Sequence, residues 1–143
     1  MTSTSGPLRF SGAPVDDAPD RLGELEDRTT LRDDPASLRA AFGTDGHVLL
    51  RGLLDPDAVL AARRELLEKY AVIGEIDDRE PLMDGIAGDA AGLRTANLRA
   101  LTRSLRTGAR YEAVILDPVL LETVGVLLDG PVRPYDFRWP RLA

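Results

Sequence analysis

A chain of 143 residues with a net charge of −6, a pI near 4.8 and no cysteine is one domain's worth of protein, or part of one. The acidic balance argues against general binding to nucleic acid or to anionic membrane surfaces, and the missing thiols exclude a disulfide framework and thiolate chemistry. The opening MTSTSGPLRFSG has no apolar leader and no run reaches membrane-spanning length, so a cytoplasmic protein with no membrane partner is expected.

Residues 1–33 are polar, carry Pro7, Pro14 and Pro19, and hold Phe10 and Val15 as isolated apolar residues. With no sustained period they read as a mobile lead-in, with a helical turn near Leu22 to Asp27. Asp34-Pro35 then announces a helix. An N-cap Asp accepts from the free N–H groups of the first turn, and a proline at N1 loses nothing by lacking one. Leu38, Ala41 and Phe42 form its apolar face, and it is expected to end around Gly43. Asp45-Gly46 is a turn signal, and residues 47–51 (HVLLR) form a β-prone run. Val48 and Leu50 point to one side of it, and His47, Leu49 and Arg51 to the other. After a second break at 52–55, Asp55-Pro56 opens a long helix. Val59, Leu60, Arg63, Leu66, Leu67 and Tyr70 share one face, with the Arg63 stem lying along it. Gly74 is the expected stop.

Residues 75–92 are rich in Asp and Gly and read as a long loop. Asp77, Asp78 and Glu80 cluster there without the Asp-X-Asp-X-Asp-Gly order of a calcium loop, so a solvated turn is the expectation. A helical pattern spans 93–106, with Leu98, Leu101 and Leu105 on one face. Arg99, Arg103, Arg106 and Arg110 would make a cationic stripe if the helix continued, serving either an anionic ligand or solvent. Gly108 interrupts before Tyr111, Val114 and Ile115 resume. Asp117-Pro118 is the third use of one start signal. Leu120, Leu121, Val124, Leu127 and Leu128 follow as core candidates, and Gly125 implies a close packing contact. Residues 132–141 (VRPYDFRWPR) alternate, placing Tyr135, Phe137 and Trp139 on one face. Pro134 and Pro140 confine such a strand to a sheet edge.

No phosphate loop, Ser-His-Asp set, dinucleotide fingerprint or zinc spacing occurs. His47 is the one histidine and, without a partner, reads as structural or solvent-facing. Two short strands and several half-apolar helices do not complete a layered architecture. Either another chain completes the domain, or these residues are the front of a longer one; the second is the expectation.

Phe42, Asp45-Gly46, Val48-Leu49-Leu50-Arg51-Gly52-Leu53 and the long helix resemble the N-terminal signature of the phytanoyl-CoA dioxygenase-like oxygenases. The stretch from Asp117-Pro118 to Leu128-Asp129-Gly130-Pro131-Val132 is similar to that family's second landmark, and Tyr135-Asp136-Phe137-Arg138-Trp139-Pro140-Arg141 to the strand leading towards its metal site. The resemblance covers roughly residues 35–141. It implies an α+β fold: the helix-rich N-terminal portion of a double-stranded β-helix (jelly roll), truncated before most barrel strands. Residues 1–33 would be the lead-in and 34–143 the start of the oxygenase domain. A full-length member would hold Fe(II) by two His and one carboxylate, bind 2-oxoglutarate and hydroxylate a small molecule with O₂. Arg138, Trp139 and Arg141 are the candidates to face substrate or co-substrate. The family's His-X-Asp ligands are absent, so no catalytic or metal-ligating residue is expected in this chain, and neither iron binding nor turnover. The competing reading is a non-enzymatic α+β interaction module, or a degenerate relative that kept the entry elements and lost the chemistry.

Overall fold

Among the described residues, three of the four α-helices with stated bounds begin where an Asp-Pro pair stands. In the computed structural model, which describes residues 9–10, 12–16, 18, 23–88, 104–105, 107–136 and 138, α1 spans Pro35–Asp45 and the Asp34 carboxylate accepts from the Ser37 N–H at 3.1 Å. Helix α2 spans Pro56–Val72, with Asp55 accepting from the Asp57 N–H at 2.9 Å. Helix α3 (Ala109–Ile115) has no such device, because Gly108 precedes it. Helix α4 (Pro118–Leu128) returns to the pattern, with Asp117 accepting from the Val119 N–H at 2.8 Å.

The ends are as local as the starts. Gly74 has φ 75° and donates to Ala71 O at 2.9 Å, while the Glu75 N–H reaches Tyr70 O at 3.1 Å. These are the two bonds of a Schellman stop, which glycine reaches without strain. Helix α1 runs past Gly43 and ends at Gly46, whose φ is 72° and whose N–H bonds to Phe42 O at 2.8 Å. The Asp-Gly turn supplies the left-handed residue that stops a helix, and Gly43 stays within it.

Strand is scarce among the described residues. β1 (Arg9–Phe10) and β2 (Ala13–Pro14) pair antiparallel as an exposed hairpin within the stretch read as lead-in. The strand expected at 47–51 reduces to one parallel bridge between Asp27 and Leu49. Its partner segment turns at once into a 3-10 turn, Thr29–Leu31, so pairing has nowhere to propagate. A second bridge, Ile76 to Ala87, closes the loop after α2, with Asp77 N–H to Ile86 O at 2.8 Å and Gly88 N–H to Glu75 O at 2.9 Å. A 3-10 turn, Leu82–Asp84, lies within that loop.

The expected C-terminal strand is corrected over its described part. Residues 132–136 and 138 form no strand, and Tyr135 is 80% exposed. Pro131 and Pro134 withhold two ladder donors. Phe137 and Trp139 lie outside the described residues, as does the 93–106 helix except for Ser104 and Leu105, both helical. Arg99, Arg103 and Arg106 are likewise outside, so of the cationic stripe only Arg110, on α3, is described.

Packing is pairwise. Helix α2 lies against α3 and the Leu82–Asp84 turn; α1 lies against α4 and the Thr29–Leu31 turn. The buried apolar residues are Leu38 on α1, Ala62 and Leu67 on α2, Ile76 and Leu105. The core expected on α4 is thinner than its sequence: Leu120, Leu121, Val124 and Leu127 are only half-buried and Leu128 is exposed. On α2 the expected apolar face is buried towards its C-terminal half, while Val59 and Leu60 stand exposed. Gly125 does mark a close approach, since a β-carbon there would lie 3.2 Å from Gly130 O. Among the described residues no helix is long and apolar enough to cross a membrane, and the architecture is mixed helix with a small two-stranded sheet.

Because the caps are local, Asp55→Ala and Asp117→Ala should each cost about 1 kcal/mol of stability in urea unfolding, while the Asn variants should stay close to wild type. Equal losses for Asn and Ala would show that the capping oxygen is not what holds these helix starts.

Candidate functional site

Of the three residues singled out as facing a ligand, Arg138 is described and is engaged. Its Nη1 lies 2.9 Å from Oε1 of Glu112 on α3, and its side chain is 18% exposed. The pair ties the segment after α4 back to α3. Trp139 and Arg141 lie outside the described residues. His47 is exposed, and its Nδ1 sits 2.9 Å from Asp45 O within its own turn. In the acidic loop, Arg79 binds Asp77 through both carboxylate oxygens, its Nε at 2.8 and 3.1 Å and Nη2 at 2.6 Å. The guanidinium bonds, then the Arg79 N–H, pull the Asp77 carboxyl down to about 2. Among the described residues no group of three or more His, Asp or Glu converges as a metal would require.

The carboxylates and guanidiniums are used instead to fasten elements together. Asp27 Oδ1 accepts from the Thr29 hydroxyl at 2.5 Å and the Thr29 N–H at 2.9 Å, and Oδ2 from Arg51 Nε at 3.0 Å. Those bonds, the Thr29 hydroxyl first, hold the Asp27 carboxyl below its ordinary range. The Arg51 N–H donates to the Thr29 hydroxyl at 2.8 Å and the Arg28 N–H to Leu49 O at 2.9 Å. Arg28 spans Asp45 at 2.8 Å and Glu26 at 2.7 Å. The Val-Leu-Leu-Arg-Gly segment is thus laced to residues 27–29. Sequence reasoning did not single out Asp27, Arg28 or Thr29; the available signal was Asp-X-Thr, a side-chain turn in which Asp bonds the backbone two residues on.

The second fastening joins α2 to α3. Oε2 of Glu65 accepts from the N–H groups of Arg110 and Tyr111, both at 2.9 Å. Glu65 therefore caps a helix with no N-cap side chain of its own. Lys69, the chain's one lysine, lies one turn on, with Nζ 3.3 Å from Glu65 Oε1 and a further bond to Thr107 O. Partial burial alone raises the Glu65 pKa, but the Tyr111 amide, Lys69 and the Arg110 amide outweigh it and hold the carboxyl below its ordinary value. Gly108 makes the approach possible: it has φ 150°, and a β-carbon there would overlap the Glu65 carboxylate and lie 2.6 Å from Lys69 Nζ. A third fastening joins α1 to α4, where Arg39 Nε donates to Val126 O at 2.9 Å and Nη2 meets Asp129 Oδ1 at 2.9 Å. Arg63 extends to Met83 O at 3.0 Å, fixing the loop after α2 with the guanidinium whose stem was expected along the apolar face.

No protein-family model, curated protein or solved structure matches this chain. The residues themselves then decide what chemistry is within reach. A two-His, one-carboxylate iron site needs two histidines, and the chain has one, bonded to its own turn. The residues present do not fit Fe(II) held in that way, and no oxidative step can be derived through them.

Gly108→Ala should destabilise by more than about 1 kcal/mol, since the new methyl must displace the Glu65 cap as well as adopt a backbone angle disfavoured for alanine. Chemical denaturation checks this; a neutral result would mean that Glu65 does not sit against Gly108.

Proposed function

We propose that this chain supplies the N-terminal helical part of a phytanoyl-CoA dioxygenase-like oxygenase, and that its role is scaffolding. The observation that carries the reading is the order of elements across residues 35–72. A capped helix closes on an Asp-Gly turn, a short extended stretch through Leu49 follows, and a second Asp-Pro cap opens the long helix. That order and its residues, Phe42, Asp45-Gly46, Val48 to Leu53 and the long helix that follows, resemble the family's entry signature. The half-covered α4 and the exposed Val59 and Leu60 on α2 fit helices that pack against a further layer such as a jelly-roll sheet. In a complete enzyme of this class Fe(II), 2-oxoglutarate and a small-molecule substrate would be held by residues other than these. Arg138, Trp139 and Arg141 would stand at the approach to that site.

The competing reading, a non-catalytic interaction module, shares the exposed helix faces but predicts no oxygenase coding sequence alongside. Two measurements separate them. The genomic sequence adjoining this coding region should encode His-X-Asp within a few tens of codons, and its absence would remove the oxygenase reading. Anaerobic titration of the purified 143-residue chain with Fe(II) and 2-oxoglutarate should give no stoichiometric binding and no succinate on exposure to O₂. A one-to-one iron site would overturn the assignment of the ligands to other residues.

A further inference from the structure

Among the described elements the helix pairing is nested, which carries a consequence for how the molecule opens. Helices α1 and α4 enclose α2 and α3 in sequence, and each of the two pairs makes its principal contacts within itself. Within the inner pair, Glu65 of α2 serves two amides of a helix that lacks a local cap. We propose that Glu65, with Lys69 and the gap left by Gly108, is a latch: neutralising its carboxylate releases α3 from α2 as a unit while α1 and α4 stay paired.

The physical basis is differential. A neutral side chain at that point keeps its shape but loses the charge-assisted part of two N–H bonds, the attraction to Lys69 and the favourable interaction with the positive end of α3. Helix α3 has only seven residues, too few to hold helical structure unaided. Its apolar residues Tyr111, Val114 and Ile115 are only half-buried, so the two amide bonds to Glu65 add to an incomplete apolar contact with α2. The outer pair depends on other groups, Asp117 at the start of α4 and Arg39 with Asp129 at its end. The titratable or charged groups on the elements packed against α2 are Arg110, Tyr111 and Glu112 of α3 and Asp84 of the Leu82–Asp84 turn; Lys69 is the charged side chain bonded to Glu65, and Arg138, after α4, pairs with Glu112 and is a tether that α3 must also break on leaving. Since the folded-state pKa of Glu65 lies below 4.5, the latch's contribution is complete above that value and is lost as pH falls through the lower, folded-state one.

Native-state hydrogen exchange on the full chain tests this. Glu65→Gln at neutral pH should lower the protection of the Arg110 and Tyr111 amides, and of the rest of α3, by roughly tenfold or more. The amides of α4 from Thr123 to Leu128 should change by less than about threefold. An equal fall in both helices, or no fall in α3, overturns the proposal. Should the variant fail to fold, an acid titration of the wild-type chain decides, with α3 protection lost at higher pH than α4 protection. Simultaneous loss would show one cooperative unit and no latch.

Discussion

The Glu65 carboxylate at the N-terminus of α3 is the contact on which the inner half of this molecule depends. A seven-residue helix preceded by glycine has neither the length nor the local cap to persist, and the partner that satisfies its first amides comes from α2, some forty-five residues earlier in the chain. The outer half answers with the opposite charge at the opposite end: Arg39 of α1 meets the last turn of α4 at Val126 O and Asp129. An acid at a helix start and a base at a helix end both complement the macrodipole. In each case the complementing group belongs to the helix packed alongside, so capping and docking are one event.

That economy explains why so few apolar side chains suffice and why several remain uncovered. Leu38 and Leu67 are almost fully buried, yet α4, the most apolar of the helices, has no fully buried residue. Polar fastenings join the helices, while Val59 and Leu60 of α2 and Leu128 of α4 stand exposed and the rest of the α4 stripe is half-covered. A helical entry portion that rests against another layer would use such stripes, which is the physical link between the fold and the scaffolding role proposed above.

What could be read from the sequence was what is local. Asp34, Asp55 and Asp117 each cap the helix that follows because the capping oxygen and its amide lie two or three residues apart, and Gly74 stops α2 for the same reason. The close approach at Gly125 was legible from the cost of a glycine inside an apolar helix. Alternation misled where it needed a partner: residues 47–51 pair at Leu49 alone, and 132–136 pair with nothing among the described residues, because period two specifies a face and not a neighbour. Glu65 was illegible, as was the pairing of Asp27 with Arg51, because the partners are separated by tens of residues; the Asp-X-Thr turn at Asp27 marks a local bond to Thr29 and not the distant arginine. The ligand-facing roles of Trp139 and Arg141 fall outside the described residues, and the one described candidate, Arg138, is occupied by Glu112.

The central claim is that an ionised Glu65, bonded to two backbone amides, holds the inner helix pair together. A carbon-detected NMR titration of the Glu65 carboxyl in the folded chain tests it directly. The account predicts a midpoint below the ordinary 4.5, with the Arg110 and Tyr111 amide shifts moving in concert. A midpoint at or above 4.5, or amides that ignore the titration, would contradict it.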